Sequence, residues 1–223
     1  MSDLSQFASG FIDRQQAGRT LGERLRQEQL PDPTVLALPR GGVPVGREVA
    51  RALDAPLEIF VARKIGAPGQ PEFGIGAIAE GGVTVIDRRT ARALGLSDAD
   101  LQGLVQRESV ELQRRVERYR GGRPLPKVSD RSVVLVDDGL ATGSTAAAAL
   151  TALRALHQPR RLVLAAPVCA SETARRLSSA ADAVICVLRP DNLSAIGLWY
   201  ADFTQTSDEE VLQLLADAAE VRR

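Results

Sequence analysis

The feature that most constrains the fold is a series of short, predominantly apolar segments separated by stretches of helical character. These segments span residues 34–38, 57–62, 133–136, 162–166 and 184–188. A strand that is apolar at nearly every position is buried on both faces, whereas a strand with one solvated face alternates apolar and polar side chains. We therefore expect a mostly parallel sheet that is covered on both sides.

Helices predicted between these strands complete the pattern. Their expected ranges are 13–29, 43–53, 97–120, 145–156, Ser171–Leu177 and a final helix that begins at Asp208. The alternation predicts an α/β fold: a mostly parallel twisted sheet with helices on both faces. The length of 223 residues suits a single domain with room for a lid or hood. The Gly- and Pro-rich stretch after Arg63 and Lys64 predicts a loop, and residues 83–86 a short additional strand.

Composition excludes several classes of function. The 28 Lys and Arg residues balance the 28 Asp and Glu residues, whereas a protein that binds the nucleic-acid backbone normally has a basic excess. The one histidine, His157, excludes zinc sites built from several histidines. The two cysteines, Cys169 and Cys186, are typical of buried residues in a reducing compartment.

Targeting signals are also missing from the sequence. No apolar run approaches the roughly 20 residues that cross a bilayer, and the first residues lack a basic stretch followed by an apolar one. We expect a cytoplasmic protein that binds neither membranes nor nucleic acids.

The strongest chemical signal is the segment 133–145, VVLVDDGLATGST, in which a buried strand stops at two adjacent carboxylates. A loop that enters a helix offers free backbone N–H groups and the positive end of the helix dipole, both of which suit a phosphate. Gly143 permits close approach of the backbone, and ionised Asp137 and Asp138 suit the vicinal hydroxyls of a sugar or a hydrated magnesium ion. An ordinary acidic turn with a helix cap explains one aspartate and one threonine, but explains poorly why both acids precede a glycine-hydroxyl loop.

This segment resembles the signature with which type I phosphoribosyltransferases bind phosphoribosyl diphosphate (PRPP), although Gly139 stands where the family usually has an aliphatic residue. Residues 38–43, LPRGGV, resemble the diphosphate-binding loop of that family. Residues 63–69, RKIGAPG, resemble the R-K-x-G-x-x-G loop of its adenine-type members. The match is greatest to a group of bacterial phosphoribosyltransferase-like proteins with LPRGG and RK-x-GAPG-x-PEF loops, whose name implies no particular substrate.

The resemblance implies roles for individual residues. Asp137 and Asp138 would bind the ribose hydroxyls, and with Arg63 and Lys64 they form the expected catalytic set. Residues that would bind PRPP are Arg40, Gly41, Gly42, Asp137, Asp138, Ala141, Thr142, Gly143, Ser144 and Thr145. The peptide that enters the Arg40 loop is often strained or cis in the family. Magnesium, the expected cofactor, would be held mainly through PRPP, with no direct protein ligand.

The implied reaction displaces diphosphate from the anomeric carbon of the ribose by a nitrogenous base, most simply a purine-like one. Ala141 replaces an Asp often found in members specific for 6-oxopurines, which disfavours hypoxanthine and guanine. A lid or insert is expected over residues 66–130, with Glu72, Phe73 and Glu80 as its notable members. A hood and C-terminal helix are expected over 189–223.

The hood contains the aromatic cluster around Trp199 and Tyr200. Trp199, Tyr200 and Asp202 are the expected base-binding residues. The alternative is an aromatic anchor that packs the C-terminal segment onto the sheet.

The predicted helix 97–120 carries arginines interleaved with glutamates, which indicates a salt-bridged solvated face rather than an RNA-binding stripe. Its leucines and valines suggest packing against another surface, and we expect a homodimer. Two other functions stay open: a regulator that binds PRPP or a nucleotide without turnover, and a hydrolase or phosphorylase acting on a ribosyl phosphate. The retention of Arg40, Arg63, Lys64, Asp137 and Asp138 favours the transferase.

Overall fold

The apolar segments form one parallel sheet in the computed structural model, which describes residues 10–220. Its strands are β1 (Pro33–Ala37), β2 (Leu57–Ile59), β6 (Ser132–Val136), β7 (Arg161–Val168) and β8 (Ala183–Leu188). They lie in the order β2-β1-β6-β7-β8, and each neighbouring pair is parallel. The prediction of a mostly parallel sheet is confirmed.

Helices cover both faces of this sheet, because alternate residues of each buried strand point to opposite sides. On one face, Val35 and Val134 pack against α1 (Arg14–Leu25) and α2 (Gly42–Leu53). On the other face, Leu36 and Leu135 pack against the alanine-rich α5 (Ser144–Ala152) and α6 (Ser171–Leu177). The α/β class and its two helical layers therefore follow the sequence pattern.

A second, antiparallel sheet stands beside the first, and the sequence predicted only one of its strands, the short one at residues 83–86. It contains β3 (Ala62–Ala67), β4 (Gln70–Ala79) and β5 (Thr84–Ile86) in that order. The prediction of one strand over 57–62 followed by a loop was wrong, since β2 ends at Ile59 and Arg63 and Lys64 lie within β3. Gly69, with φ 73°, turns the chain back. Gly76 lets β5 approach, because a Cβ atom there would lie 2.6 Å from the carbonyl oxygen of Val85.

Two helices follow this three-stranded antiparallel sheet, which is called the hairpin below. They are α3 (Arg88–Ala93), which was not predicted, and the long α4 (Asp98–Arg120). Ser97 and Asp100 form the predicted capping box at the start of α4. Its apolar face packs Leu101, Leu104 and Leu112 against the hairpin. The segment 66–130 is thus a packed hairpin and helix unit, and its movement as a lid stays a prediction.

The remaining elements agree closely with expectation. Helix α7 (Asp208–Glu220) begins where predicted, and Ser207 Oγ accepts a hydrogen bond from the Glu210 N–H at 3.0 Å. Helix α5 continues into a π-helical turn, Leu153–His157, in which the His157 ring lies edge-on to Phe60. Cys169 and Cys186 are both buried and unbridged. Within the described residues, no helix has the length and apolar character needed to cross a membrane.

Candidate functional site

The loop between β6 and α5 is built as a cup of backbone amides. The N–H groups from Ala141 to Ala146 have no hydrogen-bond acceptor among residues 10–220. Gly143 adopts a left-handed conformation, with φ 60° and ψ 17°, immediately before α5 begins. Consecutive free N–H groups around a left-handed residue at a helix N-terminus form a concave site for an anion. Ala141, Thr142, Gly143, Ser144 and Thr145 all belong to this loop and helix start, and their binding of PRPP stays a prediction.

Helix α6 braces this cup from behind, a role that sequence reasoning missed. The Thr173 hydroxyl donates to the carbonyl oxygen of Ala141, and the Arg176 guanidinium donates to that of Thr142. Because C=O and N–H point in opposite directions across a trans peptide, carbonyls held toward α6 turn the next N–H groups away from it. A Cβ atom at Gly143 would lie 2.7 Å from the Thr173 methyl group, so the brace also requires glycine there.

A second loop, between β1 and α2, meets the first at the carboxyl ends of their neighbouring strands, where Ala37 pairs with Val136. A Cβ atom at Gly41 would overlap the Asp138 carboxylate, and one at Gly42 would lie 2.7 Å from the Val136 carbonyl oxygen. The contact between the two loops therefore requires both glycines. The Pro39–Arg40 peptide is cis, as the resemblance implied.

A cleft of about 440 Å³ opens between these loops, the hairpin and α4. The sequence-predicted residues that line it are Arg40, Gly41, Arg63, Lys64, Asp137, Asp138 and Thr145. All four expected catalytic residues are among them. The cleft places the acids beside the cations, with the amide cup at its edge.

The two aspartates have different environments. Asp138 pairs with Arg14, whose Nε lies 2.8 Å from Oδ2, and both side chains are nearly buried at 13% and 11% exposure. Burial raises the pKa of Asp138, and the charge and hydrogen bond of Arg14 oppose that rise. Burial, and then the neighbouring charge of Asp138, raise the pKa of Asp137 well above its ordinary value. Asp137 therefore binds its proton more strongly than an exposed aspartate does.

Arg14 is a site residue that sequence reasoning missed. It is 124 positions from Asp138 along the chain, so no local motif connects the two. Its Nη1 also donates to the Thr204 carbonyl oxygen at 2.8 Å, and its guanidinium lies 3.9 Å above the Phe203 ring. Arg14 thus joins the acidic strand end to the C-terminal segment.

Two of the cations expected to bind diphosphate, Arg40 and Arg63, already have carboxylate partners. Arg63 Nε lies 2.6 Å from Glu108 Oε2 of α4, and Arg40 Nη1 lies 3.7 Å from Asp208 Oδ1 of α7. Neither acid was singled out from the sequence, because both lie on helices remote in the chain. An anion that enters the cleft must compete with these pairs.

Among the lid residues, Glu80 is buried, accepts a hydrogen bond from the Val61 N–H at 2.6 Å and pairs with buried Arg120. Its pKa is raised by burial. Phe73 is exposed, and the side chain of Glu72 lies outside the described part of the chain. Glu80 therefore acts here as a tie between the hairpin and α4.

The C-terminal aromatic cluster packs against the acidic strand end. The Tyr200 hydroxyl donates to the Asp138 carbonyl oxygen at 2.6 Å, and its ring contacts Phe11 and Phe203. These contacts are the ones expected if the aromatic cluster anchors the C-terminal segment onto the sheet. Trp199 is partly exposed, and exposed Asp202 accepts hydrogen bonds from Thr204. Base binding by Trp199, Tyr200 and Asp202 stays a prediction.

The unusual Gly139 has a structural explanation. A Cβ atom there would overlap the side chain of Ile196, in the 3₁₀ turn Ile196–Trp199. Ile196 therefore fills the space that an aliphatic residue at position 139 would otherwise occupy.

Magnesium held mainly through the substrate stays a prediction. Across residues 10–220, no three His, Cys, Asp or Glu side chains converge on a point where a metal ion would bind. Magnesium commonly binds through one or two carboxylates together with substrate phosphates. Asp137 and Asp138 at the cleft wall fit that arrangement.

Comparison with known proteins gives a consistent result. A family model described as "Phosphoribosyl transferase domain" matches residues 12–198. Proteins of two strains of Mycobacterium tuberculosis, CDC 1551 and H37Rv, both named "Putative phosphoribosyl transferase", are 45% identical to this chain over 205 residues. That match covers 92% of this chain and 46% of the relative, so the chain spans about half the length of the curated relatives it matches. The crystal structure of TT1426 from Thermus thermophilus is 42% identical, with a TM-score of 0.79, over 93% of this chain and 98% of that one.

Proposed function

The chain belongs to the phosphoribosyl transferase domain family, and on that basis we propose that it transfers a phosphoribosyl group from PRPP to a nitrogenous base and releases diphosphate. The observation that carries this proposal is the amide cup at Ala141–Ala146, with Asp137 and Asp138 at its rim. A phosphate group and adjacent hydroxyls on one small molecule match that arrangement.

The cup and the acids would hold the ribose 5-phosphate half of PRPP. The free N–H groups and the α5 dipole favour the phosphate. Carboxyl oxygens accept hydrogen bonds in either protonation state, so Asp137 and Asp138 suit the donor hydroxyls of the ribose. A negative charge beside the sugar also stabilises the oxocarbenium-like charge that develops when diphosphate leaves.

The cationic wall would hold the leaving group. Arg40, Arg63 and Lys64 line the same cleft, and they come from the β1–α2 loop and from β3. Their charge favours the diphosphate more as its bond to the sugar breaks, because negative charge accumulates on it. When bound with substrate, magnesium would neutralise part of that charge, with Asp137 and Asp138 as the nearest carboxylates.

The acceptor is proposed to be purine-like, held near Trp199, Tyr200 and Asp202. Ala141 places no carboxylate beside the cup loop, which disfavours 6-oxopurines as acceptors. Arg14, Tyr200 and Phe203 tie this hood to Asp138. These contacts therefore connect the segment expected to bind the base with the aspartates expected to bind the ribose.

The test is the release of diphosphate from PRPP and magnesium by the full chain, with a panel of purine and pyrimidine bases. We expect base-dependent release together with formation of the matching nucleotide. PRPP binding without release for any base would instead support a regulator. Release without any base would support a hydrolase, and absence of PRPP binding would contradict the assignment of the cup.

A further inference from the structure

Helix α4 forms a wall of the cleft, and two residues of its charged face, Glu108 and Arg115, line it. Arg115 lines the cleft beside Arg63 and Glu108. Its neighbour Arg114 lies on the same helix but does not line the cleft, and its side chain is 53% exposed against 24% for Arg115. The salt-bridged face expected from the sequence thus divides into a solvent side and a cleft side.

Both arginines share one carboxylate partner. Glu111 accepts from Arg114 Nε at 2.6 Å and from Arg115 Nε at 2.9 Å, and it also lies 3.8 Å from Arg63 Nη1. Arg115 uses only its Nε in hydrogen bonds to the described residues, so its terminal N–H groups remain available. A guanidinium fixed through one nitrogen, with two others available, is well placed to bind an oxyanion.

The position of Arg115 complements the cations already assigned. Arg63 and Lys64 come from β3 and Arg40 from the β1–α2 loop, whereas Arg115 comes from α4. The charges of Arg40 and Arg115 both lower the pKa of Asp208, after the larger effects of Tyr119 and Arg118, so both lie within electrostatic reach of that carboxylate. The cations therefore surround the cleft from three elements.

We propose that Arg115 is a binding residue for the diphosphate group of the substrate and that α4 is a functional wall of the site. This inference rests on the proposed function, because it concerns the same cleft. Glu111 would position Arg115 and keep its charge compensated until the diphosphate enters.

The experiment compares Arg115→Gln with the matched control Arg114→Gln in the full chain. Both variants remove a guanidinium bonded to Glu111, but only one removes a cleft cation. Calorimetry would measure the binding of PRPP with magnesium, of inorganic diphosphate with magnesium, and of ribose 5-phosphate. We expect Arg115→Gln to weaken PRPP and diphosphate binding by roughly tenfold or more, since a charged hydrogen bond is lost. Ribose 5-phosphate should bind as to the wild type.

The Arg114→Gln control should bind all three ligands within about twofold of the wild type. Arg115→Lys should recover part of the affinity, because it restores the charge without the planar fork. Equal PRPP affinity in the Arg115→Gln and Arg114→Gln variants would overturn the role of Arg115 and leave the proposed function intact. Loss of ribose 5-phosphate binding in Arg115→Gln would also overturn it, as a general structural defect. A wild-type chain that binds neither PRPP nor diphosphate would overturn both proposals.

Discussion

The two halves of the cleft bind anions by different physical means. The cup at Ala141–Ala146 uses backbone N–H groups whose directions are fixed by a helix terminus and by the α6 brace. The opposite wall uses long side chains, of which Arg40 and Arg63 are paired with carboxylates. The cup is therefore preorganised, whereas the cationic wall must exchange partners when a ligand enters. Preorganised donors cost little reorganisation during a reaction.

The largest effect on activity is expected at Asp138, which lies between the amide cup and the cationic wall of the cleft. Asp138→Asn should lower kcat/KM by about a hundredfold or more, because it removes a charge beside the reacting sugar. It should also destabilise the fold by up to about 3 kcal/mol, since nearly buried Arg14 loses its counter-charge. Steady-state kinetics and urea unfolding check the two parts. Wild-type turnover in a folded Asp138→Asn protein would contradict the ribose-site assignment.

The brace tests the preorganised half. Thr173→Val keeps the shape of the side chain but removes the hydroxyl that holds the Ala141 carbonyl. We expect ribose 5-phosphate to bind about fivefold to tenfold more weakly, because a lost hydrogen bond of roughly 1 kcal/mol frees the peptide to rotate. Calorimetry provides the measurement, and Thr173→Ser is the control that should retain affinity. An unchanged affinity in the valine variant would show that the cup does not depend on α6.

The next prediction concerns the cationic wall, where Arg63 must exchange its carboxylate partner for the ligand. Glu108→Gln removes the acid that is bonded to Arg63 at 2.6 Å. We expect PRPP to bind about twofold to fivefold more tightly, because a partly exposed ion pair of up to about 1 kcal/mol no longer competes with the ligand. Ribose 5-phosphate should bind as before. Weaker PRPP binding in this variant would mean that Glu108 positions Arg63 rather than competing for it.

The smallest effect concerns Glu111, whose pKa is lowered to about 2, chiefly by its hydrogen bond to Arg114. A carboxyl whose pKa is lower in the folded state stabilises the fold above its ordinary pKa of 4.5, and this contribution disappears as the pH falls toward 2. Glu111→Gln should cost at most about 1 kcal/mol at pH 7, because the pairs are partly exposed. Urea unfolding should show this difference shrinking below pH 4.5. A difference that grows in acid would contradict the ion-pair account.

The strands of the parallel sheet and the cup loop were predictable because each is specified by residues close together in sequence. The apolar run at 133–136, the acids that follow it and the glycine of the loop specify strand, rim and turn within one segment. The hairpin was not predictable in this way. Its glycines and prolines are typical of a loop, and its strands are stabilised by Ile65, Ile75 and Ile78 packing against α4, far along the chain.

The partners of the site residues also escaped prediction. Arg14, Glu108 and Thr173 are ordinary helix residues by local pattern, and each acquires its role only through a tertiary contact. Local pattern identified the side chains that would face a ligand. It carries no signal for the side chains that hold those residues in place.

The meeting of Gly139 and Ile196 has a consequence for how this site can diverge. The space next to position 139, beside the acidic strand end, is filled by the Ile196 side chain of the hood and not by a side chain of the loop that follows the strand. A larger residue at 139 would therefore be tolerated only when position 196 becomes smaller, so the two positions are expected to change as a correlated pair. Transplanting the loop alone into a homologue would leave either a collision or a void.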